Sequence, residues 1–277
     1  MYAILTDDRD LARADVGEVT HFFAESVDGT RREPLAGTVN SVACWGDTAA
    51  IRETPDRAAV TADGRRATPE TDGHHWGTVC PTDPDYRAGL LERLERVGAA
   101  GDVRLTTLGF PGSAFCRCER CERTFAESEY DDRSAWRSAV VTEFVADASD
   151  RVAGDLLATL YPDPYPGHLR ERAGLAPAAL APHVSEFVVP LCSPGYETTY
   201  WVETLARGFA DELADLDAEL TIQLSAGNVD ADRLAGLTRR LEPYAETIVY
   251  GTHPGDEDVV RDAIRRVREG EAVATPA

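Results

Sequence analysis

The sequence predicts an α/β fold, a single (β/α)8 TIM-like barrel whose N-terminal half is irregular. From residue 103 onward, short apolar runs alternate with segments of helical periodicity in five successive strand–helix units. Such alternation requires parallel strands joined by right-handed crossovers. The length of 277 residues also suits a closed barrel, for which about 250 residues are typical. We therefore expect residues 1–277 to form one barrel domain.

The N-terminal half is harder to assign. Residues 2–6 predict a first strand, and the alternating apolar pattern of 38–45 predicts another. The apolar run at 19–24 fits either a strand or a helix, because a short run does not fix its period. A long loop excursion rich in Gly, Pro, Thr and Asp is predicted over 46–82, and a helix over 85–98 follows it.

The C-terminal half is regular. Strands are predicted at 103–108, 154–160, 186–192, 219–224 and 246–250. Helices are predicted at 134–152, 176–182, 199–215, 230–241 and 256–268. An open doubly wound sheet is the alternative architecture. No G-x-G-x-x-G motif follows a predicted strand, so the sequence predicts no nucleotide cofactor.

Charge and composition narrow the functional classes. The chain has 49 acidic and 28 basic residues, every basic one is arginine, and the net charge is −21. Because the acidic residues are dispersed, we expect a salt-adapted cytoplasmic protein that low salt destabilises through self-repulsion. The absence of a basic patch argues against nucleic-acid binding. The sequence shows neither a signal peptide nor an apolar run of about 18 residues, which argues against a membrane protein.

A cysteine cluster follows the predicted strand 103–108, within a loop expected at 111–133. Its members are Cys116, Cys118 and Cys121. Zinc takes four nitrogen or sulfur ligands, so the pattern predicts a structural zinc site. The fourth ligand is expected to be Cys80, with His74 or His75 as alternatives. Two other interpretations are a cluster of reduced thiols that binds no metal and a site for a catalytic metal.

Carboxylates follow two of the predicted strands. Barrels place catalytic groups at the carboxyl ends of their strands, and glycoside hydrolysis uses a pair of carboxyl groups. Asp163 and Glu197 are therefore predicted as a catalytic acid–base pair, with solvated surface acids as the alternative. Weaker candidates are Asp7, Asp8, Glu25 and Asp47.

Aromatic and hydrogen-bonding residues also gather at predicted strand ends. Sugar sites combine aromatic faces with polar side chains, although aromatic residues also cap barrel cores. The predicted substrate-binding residues are Trp45, Trp76, Tyr161, Tyr196, Gln223 and His253. Cys44 and Cys192 are expected to be buried, as free cysteines usually are.

An ordered series of short motifs over roughly residues 40–268 resembles the hypothetical glycoside-hydrolase-like TIM-barrel proteins. The series comprises Trp76, Cys80-Pro81, Phe110-Pro111, the three clustered cysteines, Phe125, Tyr161-Pro162, Pro190, Trp201 and Gln223. The resemblance implies a barrel that acts on a carbohydrate or related polyol through carboxylates at the C-terminal mouth. It leaves the oligomeric state open.

The chain departs from these relatives on the central strand. Many of them have Gly-Ile-His-Leu-Asp-x-Ile-Arg-Phe-Pro, and this chain has Thr106 at the aspartate position and Gly109 at the arginine position. The missing acid suggests a second hypothesis, a non-catalytic carbohydrate-binding barrel with a metal-stapled loop. A third hypothesis is a metal-dependent hydrolase that uses the cysteine loop.

Overall fold

Eight parallel strands close into a barrel in the computed structural model, which describes residues 1–165, 167–192 and 198–274. The strands are β1 (Tyr2–Thr6), β2 (Val19–Phe23), β3 (Val39–Ala43), β4 (Val103–Thr106), β5 (Leu156–Thr159), β6 (Glu186–Pro190), β7 (Glu219–Ser225) and β8 (Thr247–Gly251). Each strand pairs with the next in sequence, and β8 pairs with β1. The predicted (β/α)8 architecture is confirmed, and the open sheet is excluded.

Helices fill most of the connections. They are α1 (Arg9–Ala12), α2 (Thr48–Glu53), α3 (Pro84–Gly98), α4 (Glu119–Ala126), α5 (Arg133–Ser149), α6 (His168–Ala173), α7 (Pro177–Leu180), α8 (Thr199–Leu213), α9 (Ala231–Leu241) and α10 (Glu257–Ala274). Aspartate side chains cap several of them; Asp83, for example, accepts a hydrogen bond from the Tyr86 backbone N–H at the start of α3. The sequence analysis missed the short helices α1, α2, α4 and α6, of which α2 and α4 lie inside the two predicted loops.

The irregular N-terminal half is also observed. The ambiguous apolar run forms β2, and a segment without a helix joins it to β3. The excursion at 46–82 holds α2, a short 3-10 helix and isolated antiparallel bridges, including Ala58 with Val79 and Val60 with Arg66. This region therefore has little regular secondary structure of its own.

Side chains alternate between two shells along each strand. One face packs against the helices in the main core, and the other points into the barrel. The interior contains small apolar clusters such as Leu5 with Val249 and Leu157 with Val188. On β2, His21 lies between the interior residues Val19 and Phe23, so the barrel interior also contains polar groups.

None of the helices in the described ranges combines the length and the apolar character needed to cross a membrane.

Candidate functional site

The carboxyl ends of the strands surround a cavity of about 400 Å³, here called the mouth cavity. Its polar lining residues are Thr6, Asp7, Glu25, Ser26, Thr106, Cys192, Gln223, Ser225, Thr252 and His253. A larger cavity of about 900 Å³ lies at the opposite end of the barrel, where Asp155, Ser185 and Glu219 mark the starts of three strands. Barrel enzymes act at the carboxyl end, so the mouth cavity is the candidate site.

A buried arginine fixes one polar group of the mouth cavity. Arg104 on β4 is only 2% exposed, and its Nη2 donates to Gln223 Oε1 on β7 at 2.6 Å. Its Nε donates to Thr159 Oγ1 at 2.9 Å. Burial lowers the pKa of Arg104 to about 10, so the side chain remains cationic at neutral pH. The Gln223 amide oxygen is therefore occupied, and its Nε2 donates to Cys192 Sγ at 3.5 Å.

Two carboxylates line the mouth cavity, and guanidinium groups bind both. Glu25 is buried, with Oε2 3.1 Å from Arg93 Nε and 3.8 Å from Arg31 Nε. Asp7 is about half exposed, and its Oδ2 lies 2.9 Å from Arg32 Nη2. The negative charge of each carboxylate is thus balanced within the site.

Of the two residues predicted as a catalytic pair, Asp163 does not line this cavity. Asp163 pairs with His168, Oδ2 to Nδ1 at 3.2 Å, and borders a separate cavity of about 170 Å³ with Tyr165. Glu197 and the predicted substrate-binding Tyr196 lie outside the described residues. The assignment of Asp163 and Glu197 as acid and base therefore remains a prediction.

The predicted substrate-binding residues separate into three groups. Gln223 and His253 line the mouth cavity. Trp45 is fully buried and packs against Phe144 with ring centroids 4.8 Å apart. The remaining two line another cavity, described next.

Trp76 and Tyr161 share a cavity of about 280 Å³, here called the side cavity, between the excursion and the ends of β4 and β5. Its other principal lining residues are His74, His75, Thr107, Gly109 and Arg172. The Arg172 guanidinium lies over the Tyr161 ring, 5.0 Å from its centroid. Partial burial lowers the pKa of His74, so this imidazole is a neutral hydrogen-bonding group at pH 7.

The end of β4 explains one departure from the related proteins. Gly109 has a left-handed backbone with φ of +99°, and a Cβ there would lie 2.6 Å from the Ala173 carbonyl oxygen. The arginine found at this position in the proteins that the sequence resembles does not fit this backbone. At the aspartate position, Thr106 Oγ1 donates to the Val42 carbonyl at 3.2 Å.

The four predicted thiol ligands are assembled in one cluster. The Sγ atoms of Cys80, Cys116, Cys118 and Cys121 all lie within 4.8 Å of one another. Cys80 Sγ is 3.4 Å from Cys121 Sγ and 3.7 Å from Cys118 Sγ. Tetrahedral zinc with Zn–S bonds of about 2.3 Å requires sulfur atoms about 3.8 Å apart. The donor set and its spacing therefore suit a metal ion, with Cys80 rather than a histidine as the fourth ligand.

Neighbouring groups support thiolates in this cluster. Backbone N–H groups of Val60 and Cys121 donate to the sulfurs of Cys116 and Cys118, each at 3.4 Å. Hydrogen bonds from the adjacent thiols hold the pKa of Cys118 far below its ordinary value. Arg120, which pairs with Asp83 at 3.1 Å, adds positive charge beside the cluster. Metal binding requires deprotonated cysteine, and these contacts favour that form at Cys118, whereas the neighbouring thiols raise the pKa of Cys116 and Cys121.

The sequence did not reveal the position of several residues of the candidate site. Glu25 was only a weak candidate because nothing in its sequence context shows that it faces the mouth cavity. Arg104 was missed, although an arginine within the apolar run of a strand is a signal of a buried polar contact. The expected burial of Cys44 is confirmed, and that of Cys192 is wrong, because Cys192 is exposed at the cavity.

Comparison with known proteins identifies the fold. No family model matches the chain, and no curated protein matches it significantly. The α-L-fucosidase isoenzyme 2 of Paenibacillus thiaminolyticus is similar over 99% of this chain, with 11% identity and a TM-score of 0.69. A class V chitinase of Pseudomonas fluorescens Pf-5 is similar over 95% of this chain and 99% of its own, with 11% identity and a TM-score of 0.53. The chain spans 50% of the fucosidase. At these identities the similarity shows the barrel fold.

Proposed function

We propose that the protein is a glycoside-hydrolase-like barrel that acts on a carbohydrate or related polyol in the mouth cavity. The main supporting observation is that this cavity combines two carboxylates, an oriented amide and an imidazole at the carboxyl end of a closed barrel. Glycoside hydrolysis requires a carboxyl pair, and sugar hydroxyls require hydrogen-bonding partners. The two structural neighbours named above are a fucosidase and a chitinase, which agrees with this class of ligand.

Glu25 and Asp7 are the described carboxylates best placed for chemistry. Glu25 is buried and paired with Arg93, so its carboxylate is held in place where it could stabilise positive charge on a sugar ring. Asp7 is more exposed and paired with Arg32 alone, so its pair is the more easily rearranged. The sequence-based pair Asp163 and Glu197 is the competing assignment.

A binding protein without turnover is the second candidate. Two observations favour it: Thr106 occupies the position where relatives have an acid, and arginines neutralise both carboxylates of the mouth cavity. In this case the same cavity would bind the sugar, and no carboxyl group would be free to donate a proton.

We also propose that the cysteine cluster holds a structural zinc ion. Four thiolates complete a tetrahedral site and leave no position for a substrate or water, which is typical of structural rather than catalytic zinc. This assignment disfavours the metal-dependent hydrolase.

Hydrolysis of a panel of 4-nitrophenyl glycosides tests the proposal, starting with the α-L-fucoside and the N-acetyl-β-glucosaminide. We expect Glu25→Gln to lower kcat at least about 100-fold and Asp7→Asn to lower it measurably, with a folded protein in each case. Glu92→Gln, on the exposed side of α3, is the matched control.

The outcomes separate the candidates. If only Asp163→Asn and Glu197→Gln lose activity, that pair rather than Glu25 and Asp7 supplies the catalytic carboxyl groups. Saturable sugar binding without hydrolysis would establish the binding protein. If the wild type neither hydrolyses nor binds any sugar of the panel, the proposed function is wrong.

A further inference from the structure

We propose that the side cavity is a second carbohydrate subsite, so that the ligand is an oligosaccharide that crosses the end of β4. This inference rests on the proposed function, because it assigns the first sugar unit to the mouth cavity. It adds a ligand class, a saccharide of at least two units, and gives the excursion a role in binding.

Consecutive residues at the end of β4 line the two cavities. Thr106 lines the mouth cavity and Thr107 lines the side cavity. Neighbouring Cα atoms are about 3.8 Å apart, so the linings of the two cavities come close together at this point. Thr107 is held in a left-handed conformation, φ +47°, and its Oγ1 accepts a hydrogen bond from Gly46 N at 3.1 Å. The boundary between the cavities is therefore a thin, fixed edge.

The chemistry of the side cavity suits a sugar ring. Trp76 and Tyr161 are partly exposed and offer apolar ring faces. His74, His75 and Arg172 offer hydrogen-bonding groups around them. Sites for neutral polar ligands combine these two features.

Cavity size argues for a shared ligand. Pockets that hold a whole small ligand measure about 300–1,000 Å³. The mouth cavity, at about 400 Å³, lies near the lower end of this range, and the side cavity, at about 280 Å³, lies just below it. The side cavity is therefore suited to one part of a longer ligand whose first unit fills the mouth cavity.

The cysteine cluster and α5 hold the walls of the side cavity. Phe115, which precedes the ligand Cys116, packs edge-on against His74 with ring centroids 5.2 Å apart. On α5, Arg137 Nη2 donates to the carbonyls of Gly112 at 2.6 Å and Arg172 at 2.8 Å. The excursion, the cysteine loop and the loop after β5 are thus fixed around one concave surface.

A glycan microarray carrying mono- to hexasaccharides, followed by calorimetry, tests this inference. Calorimetry compares the best array ligand with its constituent monosaccharide. We expect the oligosaccharide to bind at least tenfold more tightly. We expect Trp76→Ala to remove that advantage while changing monosaccharide affinity less than twofold.

Controls keep the result independent of folding. Trp201→Ala alters an exposed tryptophan on α8 that lines neither cavity, and it should change nothing. His75→Ala changes an exposed group on the rim and should weaken only the oligosaccharide. Trp76→Phe should preserve most of the length dependence.

Equal affinity for the oligosaccharide and the monosaccharide would overturn the inference and leave the proposed function intact. So would a Trp76→Ala effect of the same size on both ligands. If the array shows no binding to the wild type, the inference and the carbohydrate function fall together.

Discussion

The barrel and the excursion are ordered by different kinds of interaction. Every strand of the barrel pairs with two neighbours, and a continuous apolar core joins the strands to the helices. The excursion at 46–82 has one short α-helix, a short 3-10 helix and isolated bridges, and its Cys80 is one of the four clustered sulfurs. The barrel is stabilised by many repeated ladder contacts. The excursion adds a few small residues such as Ala59, Ala67 and Val79 to the core and otherwise depends on isolated contacts between residues far apart in sequence.

Because of this difference, we expect that each region can be destabilised by mutation while the other stays folded. A defect in the cysteine cluster should loosen the excursion and the side cavity while the barrel survives. A defect inside the barrel should lower global stability while the cluster keeps its metal. Each prediction below tests one side of that separation.

Removal of one thiol should have the largest effect. We expect Cys121→Ser to abolish metal binding, because the site loses one of its four ligands. Loss of a structural metal costs several kcal/mol, so the melting temperature should fall by on the order of 10 °C. Metal analysis would measure the loss of the ion, and thermal melting would measure the loss of stability. Limited trypsin digestion should cleave the variant faster than the wild type after Arg65 and Arg66 in the excursion.

Cys192→Ser is the matched control, because Cys192 is an exposed thiol outside the cluster. Equal metal content in the wild type and Cys121→Ser would contradict the assignment. Loss of the far-ultraviolet circular dichroism of the barrel in Cys121→Ser would contradict the independence of the two regions.

Acid should destabilise the barrel through His21. Burial, reinforced by the charge of Arg104, lowers the pKa of His21 to about 3, whereas an unfolded histidine titrates near about 6.5. The folded state therefore disfavours protonation of His21. The stability contributed by the neutral imidazole is complete above about pH 6.5 and is lost as the pH falls toward 3. The free energy of unfolding should decrease by up to about 1.4 kcal/mol per pH unit in that window.

Urea denaturation at pH 7 and pH 5 measures this contribution. In His21→Gln the stability difference between the two pH values should be about 2 kcal/mol smaller than in the wild type. His168→Gln, which changes an exposed histidine, should keep the wild-type difference. Identical pH dependence in wild type and His21→Gln would show that His21 does not resist protonation.

Asp163→Asn should have the smallest effect on stability. The Asp163–His168 pair lies at the surface, with side chains 26% and 53% exposed, and exposed pairs contribute at most about 1 kcal/mol. Thermal melting should show a shift of no more than a few degrees, with unchanged metal content. A larger loss would mean that the loop after β5 depends on this pair.

The barrel was predictable because its signal is local and repeated. Apolar residues such as Val141, Phe144 and Val145 recur at helical spacing on α5, and strand-length apolar runs separate the helices. The cysteine cluster was partly predictable because three of its ligands are close in sequence. Its fourth ligand was a choice among Cys80, His74 and His75 that only the fold could make.

The mouth cavity was less predictable because it depends on orientation at strand ends. Asp163 and Glu25 both follow strands, yet Asp163 faces a neighbouring cavity and Glu25 faces the mouth. The spacing of residues along the sequence does not show which acid points into the mouth cavity. Nor does it show that Arg93 on α3 will pair with Glu25, 68 residues away in sequence. Trp45 likewise follows a strand and is buried against Phe144.

Arg137 has a mechanical consequence for the whole mouth. Its guanidinium binds the carbonyl of Gly112 in the cysteine loop after β4 and those of Glu171 and Arg172 on α6, within the connection after β5. Neither loop can swing away from the barrel axis without breaking bonds to this one side chain, so the two loops must shift together. A ligand that displaces the loop after β5 would therefore pull on the cysteine loop, and its binding could be followed from a reporter placed near the cysteine cluster.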